Sequence, residues 1–210
     1  MKIIFLGAPG AGKGTQADRV SVRLGIPTIS TGAIIRAAVK DGTTMGLEAK
    51  KFIEAGALVP DSVVIGIVKE RLLESDCDKG YILDGFPRSV PQAIALEKMG
   101  VLLDKVISFE ISDEEIVERM SGRRVCGNCG KTFHIHHLPS AKGDVCDSCD
   151  GQLITRADDD PDVVRSRLEV YHSTTEPLKE YYQDRGMLCA VDGTAGVDET
   201  TKRTFEALGI

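Results

Sequence analysis

The sequence predicts an α/β protein built around a doubly wound, five-stranded parallel sheet. Three observations carry that reading: short β-branched runs alternate with longer stretches of helical period, a glycine-rich loop joins the first run to the first helix, and two stretches break the alternation as insertions. The runs Lys2 to Leu6, Pro27 to Ile29, Tyr81 to Leu83, Lys105 to Glu110 and Leu188 to Val191 have strand length and composition. Helix starts fall between them. Ser112-x-x-Glu115 has the form of a capping box, Pro60-Asp61 opens an amphipathic stretch to about Leu73, and Val163, Val164, Arg167, Leu168 and Tyr171 recur at helical spacing.

Two stretches depart from that rhythm. From about Ser30 to Val59 two helical segments follow one another without a strand, and from about Gly122 to Asp159 the chain is rich in Gly, Cys, His and Asp with no helical period. The expected organisation is a core of residues 1–29, 60–121 and 160–210 carrying insertions at 30–59 and 122–159.

A chain of 210 residues can bury one sizeable core, and 42% hydrophobic with 28% charged residues is an ordinary globular composition. The net charge of −6 argues against a basic nucleic-acid-binding face, so no nucleic acid is expected as partner. The first apolar run is too short for a signal peptide and nothing approaches a membrane span, so a cytoplasmic protein without membrane contact is expected. Of the six cysteines, Cys77 and Cys189 read as ordinary buried thiols. The other four form two Cys-x-x-Cys pairs.

Gly7-Ala8-Pro9-Gly10-Ala11-Gly12-Lys13-Gly14-Thr15 follows a predicted strand and opens a helix, the context a phosphate-binding loop requires. Its backbone N–H groups can curl around phosphate oxygens, the helix N-terminus adds partial positive charge, and Lys13 can bridge β- and γ-phosphates. The usual motif places Ser or Thr directly after the lysine to hold Mg²⁺. Here that residue is Gly14, with Thr15 one further on. Asp84, ending the third run, is placed to approach Mg²⁺ through water, or to serve as a turn residue before Gly85.

Cys126-x2-Cys129 and Cys146-x2-Cys149, with 16 residues between the pairs, match the spacing of a structural zinc site. Four thiolates leave no open coordination position, so the expected Zn²⁺ is structural, holding the second insertion together as a rigid unit hinged near Gly122 and Asp160-Pro161. His134, His136 and His137 are not expected to bind metal, and His134 is expected to pack or hydrogen-bond inside the insertion.

Asp84-Gly85-Phe86-Pro87-Arg88, followed by Gln92, narrows the reading. Together with the glycine-rich loop, Ile29-Ser30-Thr31-Gly32 with Arg36, Gly56-Ala57-Leu58-Val59-Pro60, Gly122-Arg123-Arg124 and Arg156-Ala157-Asp158-Asp159, it makes the chain resemble the nucleoside monophosphate kinases over essentially its whole length. Among them it is most similar to the adenylate kinases of the long form with a four-cysteine lid. The resemblance implies a P-loop NTPase-type core, with AMP-binding helices in the first insertion and a lid in the second. It implies reversible transfer of a phosphoryl group from ATP to AMP, giving two ADP in a monomer.

By the same resemblance Gly10, Ala11, Gly12, Lys13, Gly14, Thr15, Arg119, Arg123, Thr132 and Phe133 would bind ATP. Thr31, Arg36, Ala57, Leu58, Val59, Gly85, Phe86, Pro87, Arg88 and Gln92 would bind AMP, with Gln92 reading the adenine edge. Lys13, Arg88, Arg123, Arg156 and Arg167 would surround the transferred group, the last two also touching AMP. Ala33 stands where the family commonly has an aspartate near the hydrated Mg²⁺. This logic stands on its own, because phosphoryl transfer needs positioning and charge neutralisation more than covalent help, and arginine's planar fork suits phosphate.

Each residue also admits a duller role. Thr31 can be an N-cap, Ser89-x-x-Gln92 a capping box, Arg119 and Arg124 surface charges, and Asp158 and Asp159 either partners of the arginines or a solvated hinge. A UMP/CMP or other nucleotide kinase on the same fold remains an alternative, as does a non-catalytic zinc-ribbon binding protein. A switch GTPase is disfavoured by the absence of an Asn-Lys-x-Asp motif.

Overall fold

The computed structural model describes residues 1–54 and 57–210, apart from the side chains of Met45, Ile53 and Glu54. Gly56, one residue of the predicted nucleotide-binding segment, lies outside the described residues. In chain order the elements are β1 (Lys2–Leu6), α1 (Lys13–Leu24), β2 (Thr28–Ser30), α2 (Thr31–Lys40), α3 (Thr44–Glu54), α4 (Asp61–Arg71), β3 (Tyr81–Asp84), α5 (Val90–Lys98), β4 (Lys105–Glu110) and α6 (Asp113–Gly122). Then come β5 (Arg123–Cys126), β6 (Thr132–His134), β7 (Leu153–Ile154), α7 (Pro161–Val170), a π-helical turn (Tyr171–Thr175), α8 (Leu178–Gln183), β8 (Leu188–Asp192) and α9 (Val197–Leu208).

Five strands form one parallel sheet in the order β2-β3-β1-β4-β8. The expected runs become these strands to within a residue or two at each end, and the α4 stretch stops at Arg71 rather than Leu73. Alternation along the strands builds a core on each face. Ile4, Leu6, Ile29 and Leu83 pack on one face with Val64 and Val68 of α4, Leu96 of α5 and Tyr182 of α8. Ile3, Phe5, Ile82 and Ile107 pack on the other with Ala17 and Val20 of α1 and Leu208 of α9. The parallel register pairs Phe5 and Ser30 with Asp84, so the carboxyl ends of β1, β2 and β3 finish level. The loops leaving that edge meet in a crevice, where open α/β sheets bind ligands.

The second insertion, in which the sequence showed no helical period, is built of strands. Its backbone closes into a small antiparallel sheet in the order β6-β5-β7. Its buried apolar side chains are Val125, Cys126, Phe133 and Cys146, the last three packed together with Leu153. Such short strands carry too few apolar residues to give a periodicity signal. Cys77 is buried as expected, but Cys189 is only half-buried, because β8 lies at the edge of the sheet. Among the described residues no helix is long and apolar enough to cross a membrane.

Candidate active site

The phosphate loop is shaped by glycines that accept what other residues resist. Gly10 has φ of 88°, and a Cβ there would lie 2.9 Å from the Met120 Sδ of α6. Gly12, at φ of 92°, caps α1 with no side-chain hydrogen bond, so no cap side chain satisfies the first-turn N–H groups. An uncapped helix N-terminus of this kind suits a phosphate. The Lys13 ammonium folds back over the loop, donating to the carbonyls of Gly7 at 2.7 Å and Ala8 at 2.8 Å. Burial pushes it down to about 8; the Asp84 charge works the other way, and the arginines opposite add to the lowering.

Those arginines (Arg88, Arg123 and Arg167) and two more that line the clefts, Arg36 and Arg156, come from distant parts of the chain. Arg88 follows β3, Arg123 opens β5, Arg156 follows β7, Arg167 lies on α7 and Arg36 on α2. Two buried carboxylates hold three of them. Asp159 accepts from the Arg123 guanidinium at two positions, one with Nε at 2.9 Å. Asp158 accepts from Arg156, with Nε at 2.7 Å, and from Arg167 Nη1 at 2.9 Å. Burial alone would raise the Asp158 carboxyl, but its hydrogen bond to Arg156 and the surrounding positive charges hold it near 2. Burial in turn lowers Arg36 and Arg167 to about 10 and shifts Arg88 downward. Asp158 and Asp159 are therefore partners of the arginines rather than solvated hinge residues.

Arg88 is held through its main chain as well as its side chain. Its Nε donates to the Gly85 carbonyl at 2.8 Å, its N–H donates to Gln92 Oε1 at 2.7 Å, and its carbonyl accepts from Thr175 Oγ1 at 2.8 Å. Thr31 Oγ1 donates to the same Gly85 carbonyl at 2.8 Å. The N-cap of α2 is Ser30, not Thr31. Ser89 does cap α5, accepting from the Gln92 N–H. The Gln92 side chain instead bonds Arg88 and Asp61.

Two clefts meet at Lys13. The smaller is lined by Thr31, Arg36, Ala57, Leu58, Val59, Gly85, Pro87, Arg88, Gln92 and Arg167. The larger, about 610 Å³, is lined by Gly10 to Thr15, Asp84, Arg119, Arg123, Thr132, Phe133, Arg156 and the loop from Gly193 to Val197. Nearly every predicted residue faces one of them. The exception is Phe86, fully buried in the core after β3, while its neighbour Pro87 lines the smaller cleft. Arg119 donates to the Thr194 carbonyl at 3.2 Å, and Arg124 turns away to the carbonyls of Ser121 and Arg123. Asp61, Thr175 and the Gly193–Val197 loop escaped the sequence reading. Asp61 was visible only as a helix start, and Thr175 lies in a π-helical turn that leaves no pattern in sequence.

The Asp84 carboxylate lines the larger cleft, and among the described residues no side chain donates to it. A Cβ added at Gly14 would still lie 3.9 Å from its Oδ2, so the space a Ser or Thr side chain would take is open. An oxygen donor beside such space suits a hydrated Mg²⁺. In the lid, the sulfurs of Cys126, Cys129, Cys146 and Cys149 all lie within 4.8 Å of one another, with Cys126 to Cys149 at 3.4 Å and Cys129 to Cys146 at 3.7 Å. Tetrahedral Zn²⁺ with bonds of about 2.3 Å would place them about 3.8 Å apart, so the donor set fits. The Cys129 N–H donates to Cys126 Sγ and that of Ser148 to Cys146 Sγ, the former lowering the Cys126 thiol to about 6. His134 takes no part. Its Nε2 meets the Arg119 carbonyl and its Nδ1 accepts from the N–H groups of His136 and His137.

The adenylate kinase family model matches residues 5–187. The chain is 52% identical to the adenylate kinase of Caldicellulosiruptor saccharolyticus over 100% of both chains. It is 53% identical to that of Syntrophotalea carbinolica over 100% of this chain and 99% of the other. The chain belongs to the adenylate kinase family. It transfers a phosphoryl group from ATP to AMP, giving two ADP, with ATP as its magnesium complex. The UMP/CMP kinase and zinc-ribbon readings fall away.

Proposed function

We propose that phosphoryl transfer takes place where the two clefts meet, between Lys13 and the guanidinium groups of Arg88, Arg123, Arg156 and Arg167. MgATP lies along the larger cleft, its phosphates on the N–H groups of Gly10 to Thr15, with Arg119, Thr132 and Phe133 toward its base and ribose. AMP lies in the smaller cleft against Thr31, Arg36, Ala57 to Val59, Gly85, Pro87 and Gln92, its phosphate on Arg88. The observation that carries this reading is the convergence of three arginines from separate elements, Arg88, Arg123 and Arg167, on one lysine at the mouth of the phosphate loop, with Arg156 lining the same cleft.

The arginines bind the phosphate oxygens on which charge spreads in transfer, and Asp158 and Asp159 keep their forks aimed until nucleotide competes for them. Such preorganisation avoids reorganising charges in the transition state. Closing the lid excludes water that would otherwise take the phosphoryl group. Asp84 would hold Mg²⁺ as the hydrated ion, which would neutralise charge on the phosphates. Cys126, Cys129, Cys146 and Cys149 would hold a structural Zn²⁺, which would tie β5, β6 and β7 into one body. Two Cys-x-x-Cys pairs need a reducing compartment, which supports a cytoplasmic enzyme. Exposed apolar side chains such as Val22, Leu73 and Leu102 are scattered over separate elements, which supports a monomer. Replacing Arg88 by Ala is expected to lower kcat by roughly a hundred- to a thousandfold or more with the thermal midpoint little changed. Turnover near the parent value would remove Arg88 from the site.

A further inference from the structure

Glutamine is an ambiguous reader of a nucleobase. Its amide carries an acceptor and a donor side by side, and a half-turn about the last side-chain bond exchanges them. Adenine offers an amino donor at N6 beside an acceptor at N1. The hypoxanthine base of IMP offers an acceptor at O6 beside a donor at N1. A freely turning amide satisfies either one, so Gln92 alone does not discriminate.

In this protein the amide cannot turn freely. Gln92 is 1% exposed. Its Nε2 donates to Asp61 Oδ1 at 2.6 Å, and its Oε1 accepts from the Arg88 N–H at 2.7 Å. A carboxylate only accepts here and a main-chain N–H only donates, so the hydrogen-bond network permits one orientation. The reverse would set the amide oxygen against the carboxylate and the NH₂ against the Arg88 N–H, losing two buried hydrogen bonds at once. The carboxylate is itself fixed, because Ser89 Oγ donates to Asp61 Oδ2 at 3.0 Å while accepting from the Gln92 N–H at 3.3 Å. Each end of the amide is only half used. One Nε2 proton and one Oε1 lone pair remain, on a side chain that lines the smaller cleft.

We infer that Asp61 is a specificity-determining residue, which sets adenine against 6-oxopurine acceptors by locking the Gln92 amide with its oxygen toward N6 and its N–H toward N1. The inference rests on the reading of the smaller cleft as the AMP site. Asp61 touches no substrate and acts only through Gln92, so it is a positioning residue. Its effect belongs in the ratio of AMP to IMP use rather than in turnover as such.

The test is kcat/KM for AMP and IMP with Asp61→Ala, Asp61→Asn and Gln92→Leu beside the parent enzyme. Gln92→Leu is expected to lose most of the AMP preference. Asp61→Ala is expected to reduce the AMP-to-IMP ratio about 10- to 100-fold while KM for MgATP stays at the parent value, which also reports an intact fold. Asp61→Asn keeps an acceptor for Gln92 and a partner for Ser89, so it should restore most of the ratio. An unchanged ratio in Asp61→Ala, with the ratio lost in Gln92→Leu, would overturn the lock and leave the AMP site standing. An unchanged ratio in Gln92→Leu would overturn both.

Discussion

Lys13 is an ammonium placed where burial opposes its charge, and its two loop carbonyls are neutral partners. A triphosphate supplies the missing negative charge, so bound nucleotide must raise a value that sits at about 8 in the free protein. The sign follows. Below about pH 7 Lys13 is protonated in both states and takes up nothing, whereas between pH 8 and 9 the free enzyme must gain a proton as ATP binds. Calorimetry at pH 8.5 in buffers of different ionisation enthalpy is expected to show uptake of a substantial fraction of a proton, with KM for MgATP rising above pH 8. A binding enthalpy independent of buffer would contradict this. The lysine and the glycines before it were legible in sequence because the phosphate loop is contiguous, and the arginines were marked through the short motifs that carry the family resemblance. Asp61 and its lock on Gln92 were not, since those residues stand 31 positions apart and meet only through folding.

At the scale of elements, α7 and the π-helical turn after it act on the site together. Arg167 projects from α7 toward Asp158, and the turn swings Thr175 to donate to the Arg88 carbonyl. One continuous segment thereby fixes two of the proposed transfer residues relative to each other. A π-helical insertion often marks a functional site because it re-aims side chains that a regular helix would carry past. Thr175→Val keeps shape and burial but leaves that carbonyl unpaired. It is expected to lower kcat about tenfold with KM for MgATP little changed, and Thr175→Ser to recover most of the loss. A valine variant with the parent kcat would show the contact to be structural only. The helical spacing through Tyr171 was readable, but its change of pitch after Val170 was not, since no Pro or Gly marks the place.

Across the whole molecule, the 122–159 insertion is the part proposed to depend most on a group outside the polypeptide. Four buried apolar side chains are too few to hold β5, β6 and β7 against the entropy of ordering them, while structural zinc contributes about 10–16 kcal/mol of apparent binding free energy in small domains. Removing the metal with a strong chelator is expected to lower the thermal midpoint and to make the 122–159 segment the first site of proteolysis. Zn²⁺ should restore both. If neither changes, the four cysteines are not a structural site. The lid also touches the first insertion, where Lys40 Nζ donates to the Gly127 carbonyl at 3.2 Å within the first Cys-x-x-Cys turn.

By itself the sequence determined the parallel sheet, the phosphate loop, the cysteine spacing and the residue types proposed to meet phosphate. Each is written in local period or in a contiguous motif, where the physical requirement falls on neighbouring residues. Only the tertiary structure decided which carboxylates hold which arginines, which way Gln92 faces, that Phe86 turns into the core and that the cysteine-bearing insertion forms a sheet. Those outcomes depend on contacts between residues far apart in the chain, and a hydrogen bond or buried ion pair leaves no periodic trace at either end.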